Sequence, residues 1–152
     1  MRKAELLDEV NRESRRHYAA YVLFNQALAE SLGLHPTDLQ CLSLMALEPD
    51  PPTVGEVATL TGLSQSAATR LVDRLERAGI AERVPAPEDR RRTRIALTAP
   101  GREAVERAWD EPGAAFGALL ATFDAGQLET ILDYLRRAAG VGEEQALRLR
   151  RE

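Results

Sequence analysis

The chain has 152 residues, 44% of them apolar and 29% charged, and a formal charge of −4 at neutral pH. That length fits one domain with extensions around a modest core, and the composition excludes a disordered chain. No apolar run approaches the ~18–20 residues a bilayer crossing needs, the charged N-terminus lacks the apolar core of a signal peptide, and the single cysteine, Cys41, excludes an internal disulfide. We therefore expect a soluble, cytoplasmic protein with no membrane partner.

In chain order, the spacing of Leu7, Val10, Tyr18, Tyr21, Val22, Leu28 and Leu32 predicts one long helix from Glu5, ended by Gly33. A helix of that length, polar on several faces, suits a dimer partner. Pro36 starts a second helix near its first turn, where a missing N–H costs nothing, with Leu39, Leu42, Leu44, Met45 and Leu47 as its apolar content. The prolines of EPDPPT, residues 48–53, make a loop. Thr53 with Glu56 forms a T-x-x-E capping box and opens a short helix. Ala58, Gly62 and Leu63 then give the spacing of a helix-turn-helix, with a small residue for close approach and a glycine for the tight turn.

Ser64 is placed to cap the next helix, whose Ala67, Ala68, Leu71, Val72, Leu75 and Ala78 fall on one face before Gly79. Residues 80–84 read as a strand, PAPEDRRR as a turn, and Thr93, Ile95 and Leu97 as a returning strand. Helix followed by basic hairpin is the outline of a winged helix. Between Ser64 and Thr98 there are eight arginines against five acids, a net +3, which leaves −7 for the rest. A basic patch on an acidic body is compatible with DNA, because phosphate contacts act locally. Beyond the hairpin, Thr98 caps a helix through Ala104, Val105, Ala108 and Trp109. Pro112–Gly113 should kink or interrupt it, and Phe116, Leu119, Leu120 and Phe123 resume its apolar face. Asp124 with Gln127 opens a last helix carrying Leu128, Ile131, Leu132 and Leu135, with Gly140 and Gly142 marking its end and a frayed or loosely helical tail after it.

The outward face at the start of the helix after Ser64 carries Gln65, Ser66, Thr69, Arg70 and Arg74. An α-helix fits the major groove, where arginine pairs with guanine and glutamine with adenine through two bonds each. Together with Ser64, these residues are the candidate base and phosphate readers; their bland alternative is a solvated polar face. Arg90, Arg91, Arg92 and Arg94 lie at or beside the hairpin tip, where an arginine can enter a narrow minor groove. The chain has no glycine-rich phosphate loop, no G-x-S-x-G elbow and no H-E-x-x-H, so neither a catalytic residue nor a cofactor is expected, and two histidines with one cysteine argue against a metal site.

The stretch Val72 to Gly101 carries a pattern of Asp73-Arg74-Leu75, a helix-ending Gly79, Asp89 with Arg91, and Leu97-Thr98 with Gly101. In this it resembles the MarR family of bacterial transcriptional regulators, and the likeness extends over nearly the full length; the Pro112–Gly113 pair departs from it. The resemblance implies a mainly α protein with a small β wing: an N-terminal dimerisation helix over 1–35, a winged helix-turn-helix over 36–100, C-terminal dimerisation helices over 101–140 and a frayed tail over 141–152. It implies a homodimer on a palindromic double-stranded operator, usually a repressor that a small ligand or oxidation releases. It also makes Arg91 the groove residue and pairs Asp73 with it, orienting the wing.

His17, Tyr18, Tyr21 and His35 are candidates for lining a pocket for a small aromatic or phenolic effector, with packing as the favoured alternative and a capping role open to His35. Cys41 is a candidate thiol sensor, against a plainer role as a core residue flanked by Leu39 and Leu42. A winged helix that docks a protein partner is the alternative to DNA binding. The arginine-rich wing favours DNA, since protein interfaces deplete charge at their centre.

Overall fold

In a computed structural model describing residues 2–150, the chain forms six helices and one two-stranded sheet. The elements are α1 (Lys3–Ser31), α2 (Pro36–Met45), α3 (Val54–Thr61), α4 (Gln65–Arg77), β1 (Ala81–Pro85), β2 (Thr93–Leu97), α5 (Ala99–Leu120) and α6 (Ala125–Leu149). The chain divides into two units, Met1–Ala108 and Trp109–Glu152. Among the described residues, no helix is long and apolar enough to cross a membrane.

The first unit is built around α2, α3, α4 and the sheet. Leu39, Cys41, Leu42, Val57, Ala68, Leu71, Val72, Leu75 and Ile95 are all buried there, drawing every element of the winged helix into one core. Only the last turns of α1, at Leu28 and Ala29, join that core; upstream of them Phe24 is half-buried, and Leu7, Val10, Tyr18, Tyr21, Val22 and Leu23 are exposed. A glycine at positive φ ends α1 at Gly33, letting the Leu34 N–H donate to the Ala29 carbonyl at 2.9 Å and turning Leu34 inward. Leu47, expected among the apolar residues of α2, lies outside it and is 78% exposed. The helix stops short because Glu48 precedes Pro49, and a residue before proline is pushed out of helical geometry.

Strand β1 pairs antiparallel with β2 from Ala81↔Leu97 to Pro85↔Thr93. The Ile95 N–H, on the outer edge of β2, donates to the Pro52 carbonyl at 2.7 Å, so the proline loop covers that edge. The start of α5 lies on the end of α4. Thr98 Oγ1 donates to the Gly79 carbonyl at 2.6 Å and accepts from the Gly101 N–H at 2.9 Å, and a Cβ on Gly101 would overlap the Ile80 carbonyl. The Leu97-Thr98-x-x-Gly101 pattern is thus a close-approach requirement between wing and helix.

Two expected breaks in the C-terminal helices are corrected, an interruption at Pro112–Gly113 and a helix end at Gly140. α5 runs unbroken through Pro112 to Leu120, because proline removes one backbone bond and the alanine-rich flanks at Ala114, Ala115 and Ala118 sustain the helix. α6 continues past Gly140 and Gly142 to Leu149; each glycine costs about 1 kcal/mol relative to alanine, less than Ala138, Ala139, Glu143, Glu144, Gln145 and Ala146 can sustain around them. The final two residues of the expected tail lie outside the described residues.

Candidate nucleic-acid interface

The recognition segment is assembled by local hydrogen bonding. Thr53 and Glu56 form the reciprocal capping box of α3, at 2.7 and 3.2 Å, and those bonds hold the Glu56 carboxyl below the usual range. α3 ends at Gly62 with φ of +68°, the left-handed geometry that turns the chain into α4. Ser64 Oγ then accepts from the Ala67 N–H at 3.2 Å and starts α4. The first turns of α4 present Gln65, Ser66 and Arg70 to solvent. Thr69 is half-buried, its hydroxyl donating to the Gln65 carbonyl at 3.0 Å. Exposed side chains at the start of a capped helix fit the residue set expected for a major-groove reader.

The wing tip is a tight turn. The Ala86 N–H donates to the Arg92 carbonyl, the Arg92 N–H to the Asp89 carbonyl, and the Arg91 N–H to Asp89 Oδ1, all at 2.9 Å. Asp89 therefore folds the turn by mimicking backbone, and Arg90 and Arg91 occupy its two corners. Arg90, Arg91 and Arg92 are all exposed. No hydrogen bond or ion pair within the described residues engages the side chains of Arg70, Arg90 or Arg91; Arg92 acts only electrostatically, on Glu56 and Glu88.

The other arginines of the segment are committed within the fold. Arg74 binds Asp38 through a fork, Nη2 to Oδ1 at 2.6 Å and Nε to Oδ2 at 2.9 Å. Arg94 binds Glu88, with Nη2 at 2.5 Å and Nε at 3.2 Å, and donates to the Pro51 carbonyl at 2.7 Å. These bonds raise both guanidinium pKa values and lower that of Glu88. Arg94 is thus a latch between wing and proline loop rather than a free tip residue. Asp73 pairs with Arg83 of β1 at 2.8 Å, and Arg83 also bonds Glu76, so its partner is a wing strand rather than Arg91. The physical reason is reach: β1 leaves α4 directly and passes alongside Asp73 and Glu76, whereas Arg91 sits at the far corner of the hairpin.

The four effector candidates are not gathered into one site. His17, Tyr18 and Tyr21 are exposed along α1, with Tyr18 60% exposed, and His35 Nδ1 caps α2 by accepting from the Thr37 N–H at 3.3 Å. A cavity of about 350 Å³ lies instead against Glu48, Asp50, Pro52, Glu56, Leu60 and Arg94. Cys41 is fully buried, its Sγ 3.7 Å from the Met45 sulfur, and burial pushes its thiol up to about 11. Among the described residues, no group of three or more His, Cys, Asp or Glu side chains is placed to hold a metal ion. Asp38 is the residue that sequence reasoning missed: no local pattern marks it, and its partner lies 36 positions away.

Comparison with known proteins bears on the whole arrangement. Residues 32–92 match the model of the MarR family. The chain is 37% identical over 129 residues to the uncharacterised HTH-type transcriptional regulator YcgE of Bacillus subtilis, covering 85% of this chain and 83% of that protein. It is similar in structure to a MarR family transcriptional regulator from Silicibacter pomeroyi, at 27% identity and a TM-score of 0.70, over 91% and 92% of the two chains. A similar likeness, 26% identity and a TM-score of 0.67 over 88% and 94%, relates it to CouR from Rhodococcus jostii RHA1, whose structure was solved bound to p-coumaroyl-CoA. The chain belongs to the MarR family: it is a DNA-binding, winged helix-turn-helix transcriptional regulator, not an enzyme.

Proposed function

We propose that the protein is a homodimeric, cytoplasmic repressor. Each copy lays the start of α4, through Gln65, Ser66, Thr69 and Arg70, into the major groove of one half of a palindromic operator, and sets Arg91 into the adjacent minor groove. The observation that carries this reading is the division of the arginines. Arg74, Arg83 and Arg94 are tied to carboxylates, while Arg70 and Arg90–Arg92 stand exposed at the helix start and the wing tip. Uncommitted guanidinium groups at just those two places are free to reach into the two grooves. Dimerisation is supported by the exposed apolar residues of α1 and α6, among them Leu7, Val10, Val22, Leu128, Leu132 and Leu135.

The test is fluorescence anisotropy on a duplex that the protein enriches from a randomised pool, against a scrambled duplex, over a series of salt concentrations. Selective binding that weakens with salt and falls with Arg91→Ala is the expected result. Failure to enrich any sequence would overturn the reading. An aromatic effector is the second element of the proposal, supported by CouR with its p-coumaroyl-CoA and by the exposed His17, Tyr18 and Tyr21, which a second copy would have to enclose. Titration of aromatic acids and their thioesters into the protein–DNA complex, read as loss of anisotropy, tests it.

A further inference from the structure

The ion pair between Asp38 and Arg74 joins α2 to α4 across 36 positions of sequence and is asymmetric in its exposure. Asp38 is 1% exposed, while the Arg74 side chain is 41% exposed. The carboxylate takes the Nε and Nη2 edge of the guanidinium, at 2.9 and 2.6 Å, and no hydrogen bond within the described residues engages Nη1. A guanidinium is planar, so holding one edge by a two-pronged bond fixes the plane and the direction of the other edge. Arg74 lies one helical turn beyond Arg70 on the same side of α4. Asp38 is itself held at the start of α2, where the helix N-terminus favours a carboxylate; the Pro36 carbonyl of that turn accepts from Asn25 Nδ2 of α1 at 3.2 Å.

We infer that Asp38 is a positioning residue for DNA binding, which holds Arg74 so that its open Nη1 edge takes an operator phosphate. The inference rests on the reading of α4 as the DNA-facing helix. An exposed, free arginine loses rotamer freedom when it binds; one already locked by a buried carboxylate loses little, and its phosphate bond fixes the register in which Gln65 and Arg70 meet the bases. The pair therefore does more than brace two helices: it presents a pre-oriented cation beside the base-reading turn.

The experiment uses the full-length protein, the enriched and scrambled duplexes, and two variants. Asp38→Leu/Arg74→Met removes the pair while leaving net charge unchanged, and apolar replacement of a buried ion pair is often tolerated in stability. If Arg74 binds phosphate, the double variant lowers the slope of log affinity against log salt by about 0.9 for each phosphate it no longer neutralises. If the pair is only a brace, the slope stays at the wild-type value, and that result overturns the inference. Arg74→Lys keeps the charge and loses the fork, and should bind the enriched duplex with selectivity reduced about tenfold at a retained salt slope. Wild-type selectivity in Arg74→Lys would show that orientation by Asp38 is immaterial and overturn the inference from the other side; this variant remains readable should the double variant melt early. Equal binding of both duplexes by the wild type would instead bring down the reading of α4 itself.

Discussion

The winged helix and the last helix use apolar side chains in opposite ways. In α4, the residues at helical spacing, Ala68, Leu71, Val72 and Leu75, are all buried within the same chain. In α6, a helix almost twice as long, none is buried, and Leu128, Leu132, Leu135, Val141, Leu147 and Leu149 are all exposed. Periodicity alone does not distinguish the two, since both show apolar residues at three- and four-residue steps. The difference lies in what the chain supplies opposite each stripe. α4 has α3 and β1 against it, whereas the stripe of α6 stays exposed. One region is stable through its own core; the other suits association.

The strongest way to break this comparison is to charge the α6 stripe. On the homodimer proposed above, Leu132→Glu/Leu135→Glu should convert the protein to a monomer in sedimentation or light scattering. Because two linked half-sites bind far more tightly than one, operator affinity should fall by about 10²-fold or more. An unchanged mass and affinity would show that the stripe is covered in some other way. The self-sufficient region is tested at Gly101, where an added Cβ would overlap the Ile80 carbonyl and neither backbone can yield cheaply. Gly101→Ala should cost roughly 1–3 kcal/mol, read as a drop in Tm on the order of 10 °C, with the mass in solution unchanged.

What was legible in the sequence follows the same division. The capping of α3 by Thr53 and Glu56, of α4 by Ser64 and of α6 by Asp124 and Gln127 was readable because each bond spans three residues. The helix-ending glycines at 33, 62 and 79 were readable because positive φ is a local requirement. The destinations of the charged side chains were not. Arg74 and Asp38 meet only because α2 packs near α4, and Arg94 finds the Pro51 carbonyl only because the proline loop lies along β2. A count of eight arginines thus overstated the free positive charge of the interface. The count did not rank Arg91 above Arg94; the family resemblance did, and the hairpin geometry separates the two.

That ranking gives the third prediction. Arg91→Ala should lower operator affinity by about tenfold with Tm unchanged, since its side chain does no structural work in the described fold. Arg94→Ala should lower Tm measurably through loss of the latch, because its guanidinium both donates to the Pro51 carbonyl and pairs with Glu88. Measured side by side in thermal melts and anisotropy, the two variants should therefore move different observables.

The smallest effect is expected at Cys41. With its thiol raised to about 11 by burial, almost none is thiolate at neutral pH, so a disulfide reagent should react with the native protein only as fast as it unfolds, and peroxide should leave DNA binding unchanged. The same shift has a signature at alkaline pH. The thiol binds its proton more tightly in the folded state than in the unfolded state, where its value is near 9. Its contribution to stability is therefore complete below about pH 9 and is lost as pH rises toward 11, a change of about 2–3 kcal/mol at 1.36 kcal/mol per unit. The measurement is the difference in unfolding free energy between wild type and Cys41→Ala, which cancels what the two proteins share. That difference should be constant up to pH 9 and shrink above it; a flat difference would mean that the thiol ionises as readily inside the core as outside.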